Sequence, residues 1–312
     1  MSARVSRIVC AGEAMVELTP RQGTWDVHYG GDTLNVAVHL TRLGHNVAYL
    51  TALGGDPFAG NMRRAWGREG MDVSLVLTIP ERTTGLYAID TDESGERHFS
   101  YWRGESAARE LFAASGIEHA LEAAREADLL FFSLISLAIL PEEGRERLLR
   151  LAAEVRAAGG KVAFDSNYRR RLWESEDAAR AWRDRAIGMA DFGLPTLEDD
   201  RQLHTGATAE EIAAHWVTYG AGEVLVKLGG DGCLLPSGEI VAPPARLVPL
   251  DTSGAGDAFD AGYLAARMRG LPPQAAAADG HKLAAWTVLR QGAIPPRDHS
   301  APYGEMTSGV PV

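Results

Sequence analysis

Short apolar runs with the character of β-strands alternate along this chain with longer runs of helical spacing. The runs typical of strands include RIVCAGEAMVEL, NVAYLTALG, ADLLFFSLI and GKVAFDSN, and helical stretches rich in Ala, Glu and Arg precede the later ones. Strands that alternate with helices of about 10–15 residues predict βαβ units, and hence a mostly parallel sheet that helices cover on both faces. Ligands of such sheets bind beyond the carboxyl ends of the strands, so we expect the functional site there.

The size and charge of the chain limit its organisation and its partners. Its 312 residues suit one large domain, and we expect a single domain over 1–312. The net charge of −11 argues against a nucleic-acid partner, whose phosphates would be repelled. The chain has no run of about 18 apolar residues that could span a membrane, and the stretch MSARVSRIVCAGEAMVEL lacks the apolar segment of a signal peptide. We therefore expect a cytoplasmic protein.

One segment departs from the alternation of strands and helices. The stretch GLYAIDTDESGERHFSYWR, residues 85–103, has two alternating strand patterns around the turn TDESGE, which predicts a hairpin. Two earlier stretches, EAMVELTP and TWDVHYGG, are expected to pair with it as an antiparallel patch. An ordinary surface hairpin is the alternative, but Tyr87, Tyr101, Trp102 and Arg103 would be unusual on a solvated ribbon. We expect a lid formed by about 13–31 and 84–104, through which two chains form a homo-oligomer.

The stretch DTSGAGDAFDAGY, residues 251–263, places three small residues directly before an acid at the start of a helical pattern. Gly254, Ala255 and Gly256 would expose several backbone N–H groups in one direction, which with the helix dipole makes an anion site. Asp257 cannot itself bind an anion, but it could accept the proton of a hydroxyl group that attacks a phosphoryl group. The alternative is an ordinary glycine-rich helix start in which the Asp stabilises the helix dipole.

Three other stretches have the character of site segments. They are GGDTLNVAVHLTRLG at 30–44, with two glycines before a helix; VKLGGDGCLL at 226–235, a strand, a glycine-rich turn and a strand; and FDSNYRRRLW at 164–173, with polar residues directly after a strand. A glycine-rich turn at a strand end can pass over an adenine or a phosphate. The histidines and cysteines show no metal-binding spacing.

Together, GGDTLN…LTRLG and DTSGAGDAFDAGY resemble the two signatures of the ribokinase-like (phosphofructokinase B) sugar kinases. The order and spacing of the motifs and the strands around them agree with that family over essentially the whole chain. The resemblance implies an α/β fold, a three-layer α/β/α sandwich with a mostly parallel sheet and a small β-sheet lid. It also implies ATP as the phosphoryl donor, a magnesium requirement and a small-molecule acceptor.

The resemblance also implies a role for each matching residue. Asp257 would be the catalytic base, and Gly254, Ala255 and Gly256 would form the anion hole. The implied substrate-binding residues are Gly31, Asp32, Asn35, Tyr87, Tyr101, Arg103 and Arg169. The implied ATP-binding residues are Lys227, Gly229, Gly230 and Gly232. Asp251 would lie near a site for a monovalent cation such as potassium.

One segment departs from the family pattern. The family often has an NxxE element near magnesium and phosphate, whereas this chain has PTLE, with Pro195 in the Asn position and Glu198 retained. Glu198 is therefore expected to act on magnesium through water rather than through the complete element.

Within the family, the stretches YWRGESAAR and NYRRRLW resemble the kinases that phosphorylate the terminal hydroxyl of 2-keto-3-deoxygluconate. A sugar acid needs a cation for its carboxylate, and the planar guanidinium groups of Arg103 and Arg169 suit that task. One alternative is a kinase of a neutral sugar such as fructose or ribose, which would not need both arginines. Another is a catalytically silent sugar-sensing protein, against which the intact Asp257 and anion-hole glycines argue.

Overall fold

The computed structural model describes residues 6–21, 23–91 and 97–307. Its strands are β1 (Arg7–Ala11), β2 (Met15–Arg21), β3 (Thr24–Gly30), β4 (Asn46–Gly54), β5 (Val76–Ile79), β6 (Gly85–Thr91), β7 (Arg97–Trp102), β8 (Leu129–Ser133), β9 (Lys161–Asp165), β10 (Phe192–Leu194), β11 (Glu223–Val224), β12 (Val226–Lys227), β13 (Cys233–Leu234) and β14 (Ile240–Val241). Its helices are α1 (Asp32–Arg42), α2 (Pro57–Glu69), α3 (Ile117–Arg125), α4 (Leu134–Ile139), α5 (Glu142–Ala157), α6 (Glu176–Ile187), α7 (Leu197–Leu203), α8 (Ala209–Thr218), α9 (Ala255–Met268), α10 (Pro273–Val288) and α11 (Tyr303–Thr307).

The main sheet has seven strands in the order β11-β10-β9-β8-β1-β4-β5, and every pair in it is parallel. Alternate side chains of its strands pack into different apolar cores on the two faces. In β8, Leu130 and Phe132 belong to one core, whereas Leu129 and Phe131 belong to the other. Helices cover both faces, because strands buried on two sides need an apolar cover on each. The predicted three-layer α/β/α fold is confirmed.

A second sheet, which we call the lid sheet, has the strand order β3-β2-β6-β7. The predicted hairpin is confirmed, since β6 and β7 pair antiparallel, although residues 92–96 of its predicted turn lie outside the described residues. The predicted antiparallel patch is only partly right, because β2 pairs with β6 in parallel. Both strands continue from parallel strands of the main sheet, β1 and β5, and therefore run in the same direction.

Polar side chains gather where several elements end at the carboxyl edge of the main sheet. Ser133 and Asp165 are the last residues of β8 and β9, and α1 begins beside them at Asp32, which contacts Ser133. The small antiparallel sheet β12-β13-β14 and the packed pair α9 and α10 complete this region. Within the described ranges, no helix has the length and apolar character needed to cross a membrane.

Candidate active site

The start of α9 is a glycine turn. Gly254 precedes the helix with φ of +68°, a left-handed conformation that favours glycine, and a Cβ there would lie 2.6 Å from the Cβ of Ala293. No side chain in the described part of the chain caps this helix start. The N–H of Ala255 donates to the carbonyl oxygen of Thr252 at 3.3 Å, so the N–H groups that an anion could reach are those that follow it in the first turn, beginning at Gly256.

Asp257 lies in the first turn of α9, half-buried, and its Oδ2 accepts a hydrogen bond of 2.7 Å from Nδ2 of Asn35 in α1. Burial, together with the nearby carboxylates of Asp32 and Asp165, raises the pKa of Asp257 to about 7, against the opposing effects of Asn35 and Lys227. A carboxyl group with a pKa near neutrality suits a general base at physiological pH.

Asp32 is the first residue of α1 and is held by donors from two strand ends. Its Oδ2 accepts hydrogen bonds from Oγ of Ser133 and, at 2.9 Å, from Nδ2 of Asn167. Burial raises the pKa of Asp32. The preceding Gly31 has φ of +143°, and a Cβ there would lie 2.3 Å from the carbonyl oxygen of Glu13. Gly31, Asp32 and Asn35, expected at one site from sequence, are thus held together beside Asp257.

The lid sheet brings aromatic and charged side chains to the same region. Tyr87 is buried and donates a hydrogen bond to Glu17, and Asp257 is close enough to influence its pKa. The ring of Tyr101 lies 5.8 Å from that of Tyr87 and remains 49% exposed. The guanidinium of Arg103 forms an ion pair with the buried Glu13 and lies 5.9 Å from the centre of the Tyr101 ring.

Arg169 follows β9 and reaches outward rather than toward Arg103. Its side chain is 52% exposed, and its guanidinium lies 3.1 Å from Oδ1 of Asp199. The ion pairs of the two arginines therefore involve different partners, Glu13 for Arg103 and Asp199 for Arg169. Their convergence on one ligand stays a prediction.

Lys227, expected to bind ATP, is buried in the structure. Its Nζ donates to Oδ1 of Asp165 at 3.0 Å and to Oδ2 of Asp260 at 2.8 Å. Its side chain therefore points beneath the start of α9, where a Cβ on Gly256 would lie 3.8 Å from Nζ. The structure shows that Lys227 pairs with two carboxylates inside the protein. Its contact with the nucleotide stays a prediction.

The glycine-rich turn at 229–232 is compatible with a nucleotide passing over it. Gly229 and Gly230 are exposed, with no atom within 4 Å of a Cβ at either, whereas a Cβ at Gly232 would lie 2.2 Å from the carbonyl oxygen of Val241. Arg246 lies 3.8 Å from Asp231 in this turn and joins it to a segment with uncovered apolar side chains. In that segment Val248 is 89% and Leu250 70% exposed. Open backbone beside uncovered apolar side chains fits an adenine and its phosphates.

The two predicted cation residues differ in their surroundings. Both carboxylate oxygens of Asp251 accept backbone N–H groups, from Ser253 at 2.8 Å and from Gly292 at 2.9 Å. Glu198 is exposed in the first turn of α7. No group of three or more His, Cys, Asp or Glu residues in the described ranges could hold a metal ion. Magnesium commonly retains water and binds to ATP phosphates in kinases, and a contact of Glu198 with it through water stays a prediction.

Sequence reasoning missed Glu13, Ser133 and Asp260. Glu13 and Ser133 stand at or just after the ends of β1 and β8, so applying the carboxyl-end rule to every strand of the sheet would have found both. Asp260 lies one helical turn after Asp257, a spacing that places both side chains on one face of α9.

We expect Gly256→Val to fold but to lose phosphoryl transfer. Among the described residues beyond the helix itself, Nζ of Lys227 at 3.8 Å is the atom near a Cβ at Gly256, so the added atoms have room within the protein and would instead crowd a bound phosphate. Steady-state kinetics and thermal melting would test this. Gly67→Val is the matched control, because Gly67 is an exposed glycine within a helix, α2, and has no described atom within 4 Å of a Cβ. Normal kinetics in folded Gly256→Val would mean that the turn is merely a helix start.

Comparison with known proteins places these motifs in a wider context. The family model described as "pfkB family carbohydrate kinase" matches residues 5–300 of this chain. The 2-dehydro-3-deoxygluconokinase of Escherichia coli K12 is 40% identical over 302 residues, covering 94% of this chain and 98% of that protein.

Two crystal structures of kinases share the fold over nearly the full length. The aminoimidazole riboside kinase from Salmonella enterica, complexed with aminoimidazole riboside and an ATP analog, superposes with a TM-score of 0.82 at 25% identity, covering 97% of this chain and 100% of that one. The fructokinase from Vibrio cholerae O395, with fructose, ADP and calcium ion bound, has a TM-score of 0.79 at 29% identity, covering 93% and 95%.

Proposed function

Because this chain belongs to the pfkB family of carbohydrate kinases, we propose that it transfers the terminal phosphoryl group of ATP to the terminal hydroxyl of 2-keto-3-deoxygluconate. This compound is also called 2-dehydro-3-deoxygluconate, and the product would be 2-keto-3-deoxy-6-phosphogluconate. The observation that carries the choice of substrate is the 40% identity to a 2-dehydro-3-deoxygluconokinase over almost the whole of both chains. The proposal includes the cytoplasm as the location, where ATP is available as the donor.

The charges around the site support an acidic substrate. Arg103 sits at the end of a lid strand against Glu13, and its guanidinium retains donors beyond that ion pair. Arg169 is half-exposed beside Asp199, in the loop that follows β9. A sugar acid offers its carboxylate to one of these arginines, whereas a neutral sugar offers them no anionic partner beyond Glu13 and Asp199.

In the proposed reaction, Asp257 accepts the proton of the attacking hydroxyl group. The hydroxyl oxygen forms a bond to the γ-phosphorus while the bond from that phosphorus to the bridging oxygen breaks, and ADP leaves. The hydrogen bond from Asn35 orients the carboxylate of Asp257 for this proton transfer. The hydroxyl to be phosphorylated must therefore lie between the carboxylate of Asp257 and the γ-phosphate of ATP.

The turn of Gly254, Ala255 and Gly256 stabilises charge on the transferring phosphoryl group. Its backbone N–H groups are fixed by the helix, so they need no reorganisation as the charge develops. Magnesium bound with the triphosphate would neutralise phosphate charge. Lid residues Tyr87 and Tyr101 cover the sugar and exclude water from the reacting atoms.

The test is ATP consumption by the purified protein over a panel of sugar acids and neutral sugars. We expect kcat/KM for 2-keto-3-deoxygluconate to exceed that for fructose or ribose by at least about tenfold, since one decade corresponds to about 1.4 kcal/mol. Equal use of fructose and the sugar acid would overturn the substrate assignment while leaving a sugar kinase. Absence of turnover with every sugar would overturn the kinase function.

The proposal includes a homodimer formed through the outer face of the lid sheet. The strand register places Val27 and Trp102 on the same face, opposite Tyr87, and they are 46% and 60% exposed. Exposed apolar side chains grouped on a sheet are commonly covered by a partner. We expect light scattering to give the mass of a dimer, and Trp102→Lys to give a monomer. Tyr219→Lys, at an aromatic 48% exposed beyond α8, is the control and should not change the mass. A monomeric wild-type protein would end this idea.

A further inference from the structure

A buried ion triad lies directly behind the proposed catalytic turn. Lys227 of β12 is 7% exposed and joins Asp165 at the end of β9 to Asp260 in α9, with N–O distances of 3.0 and 2.8 Å. Asp165 and Asp260 are 3% and 0% exposed. The triad therefore links three elements through charges that are removed from water.

Burying such a triad costs free energy, so its position needs a physical explanation. Removing two carboxylates and an ammonium from water costs free energy that their attraction only partly returns, and apolar residues of similar size are often as stable. Within the described residues, Oδ1 of Asp260 also lacks a hydrogen-bond partner. Stability alone is thus a weak explanation for the triad.

The position of the triad relative to Asp257 supplies another explanation. Asp260 follows Asp257 by one turn of α9, and a Cβ on Gly256 would lie 3.8 Å from Nζ of Lys227. The ammonium is therefore held behind the turn that carries the base. Neither carboxylate of the triad can move without also moving a strand end or α9.

We propose that Lys227, held in place by Asp165 and Asp260, is a positioning residue that keeps a fixed positive charge behind the anion-hole turn and thereby favours the ionised, proton-accepting form of Asp257. This inference rests on the proposed function, because it gives Asp257 the role of the base. It assigns Asp260 a task that neither the glycine turn nor the substrate contacts require.

The charged groups around Asp257 come from several elements, and they determine the direction in which each variant should shift the pKa of Asp257. The titratable groups that face it are Asp32 of α1, Tyr87 of the lid sheet, Asp165 of β9, Lys227 of β12 and Asp260 of α9. Lys227 is the one cation among these neighbours, and its ammonium opposes the rise in the pKa of Asp257. Removing Lys227 should raise the pKa of Asp257, whereas removing the negative charge of Asp165, which raises that pKa, should lower it.

The experiment compares Lys227→Met with Asp165→Asn. We expect the acidic limb of the kcat/KM profile to move up in pH in Lys227→Met and down in Asp165→Asn, each by roughly 0.5–1.5 units. Opposite shifts cannot arise from general damage, which would lower activity in both without a signed change. Lys227→Met leaves two buried carboxylates together and could fail to fold; Asp165→Asn keeps the side-chain shape and then tests the proposal alone.

Glu223→Gln is the matched control, since Glu223 pairs with Arg267 at 2.7 Å at the other end of the same helix. It should leave the pH profile in place. A second readout needs no substrate: carboxyl ¹³C NMR of the ligand-free protein should show the Asp257 signal titrating with the same opposite shifts, with Asp257→Asn used for assignment.

The outcomes separate the two proposals. An unshifted Asp257 titration and pH profile in Asp165→Asn, in a protein that phosphorylates sugars, would overturn the role of the triad and leave the kinase intact. A protein without sugar-kinase activity would overturn the proposed function, whereas the NMR titration would still report whether the triad controls the charge of Asp257.

Discussion

Asp257→Asn should lower kcat by about 10²–10⁴-fold, the usual contribution of a general base, while ATP binding changes little. The side chain keeps its shape and can still accept the hydrogen bond from Asn35, but it can no longer take the proton of the substrate hydroxyl. Steady-state turnover and the affinity for a non-hydrolysable ATP analogue would measure the two effects separately. Turnover close to that of the wild type at neutral pH would exclude Asp257 as the base.

The stability of this variant provides its control. Because burial raises the pKa of Asp257 to about 7, its folded-state pKa lies above its ordinary value of 3.8, so the folded protein loses stability as pH rises through that interval. Asn carries no such charge, so we expect Asp257→Asn to melt at a higher temperature than the wild type at about pH 8. A higher Tm with lost turnover would show that the variant is folded and that the defect is chemical.

Arg169→Ala should lower kcat/KM for the sugar acid by roughly 10–100-fold, since a charge-assisted hydrogen bond contributes about 1.5–3 kcal/mol. The guanidinium of Arg169 is 52% exposed beside Asp199, and we propose that it can turn toward the carboxylate of the substrate. Activity on a neutral sugar should change far less, because such a substrate offers no anionic partner. Kinetics with both substrates would therefore reveal an eroded preference.

Two further arginine variants make this result specific. Arg171→Ala, at an exposed position two residues later in the same loop, should leave both activities unchanged. Arg103→Ala should weaken the sugar acid too, but it also leaves the buried carboxylate of Glu13 without its cation, so we expect a lower Tm as well. Equal losses on acid and neutral sugar in Arg169→Ala would mean that Arg169 does not read the carboxylate.

Much of the fold can be predicted from patterns of adjacent residues in the sequence. In strands such as β8, four buried apolar residues precede Ser133 without the alternation of a half-exposed sheet, and β4 is followed by a helix with its own start and stop signals. In α2 these signals are the Asp56 cap, Pro57 at the first turn and Gly70 after the last residue. The parallel pairing of β2 with β6 was not predictable from the hairpin, because it depends on the positions and directions of the preceding strands, β1 and β5.

The residues of the site also fall into two groups, those that the sequence reveals and those that only the structure reveals. Asp257 and the glycine turn are recognisable because their chemistry depends on neighbours in the chain: a helix start, small residues and an acid in the first turn. The partners of Lys227 are different, since Asp165 lies 62 residues away and Asp260 lies 33. A lysine beside a glycine-rich turn resembles a nucleotide ligand, and only the hydrogen bonds of Lys227 to Asp165 and Asp260 show that its side chain points inward.

The amino-acid sequence by itself determined the layered α/β fold, the existence of the lid hairpin and the identity of the two main motifs, because helix and strand periods and glycine turns are encoded over a few adjacent residues. Only the tertiary structure decided which charges meet: Glu13 with Arg103, Asp32 with Ser133 and Asn167, and Lys227 with Asp165 and Asp260. Ion pairs and hydrogen bonds depend on distances of a few ångströms between segments remote in the chain, and those distances exist only after the sheet and its helices have packed.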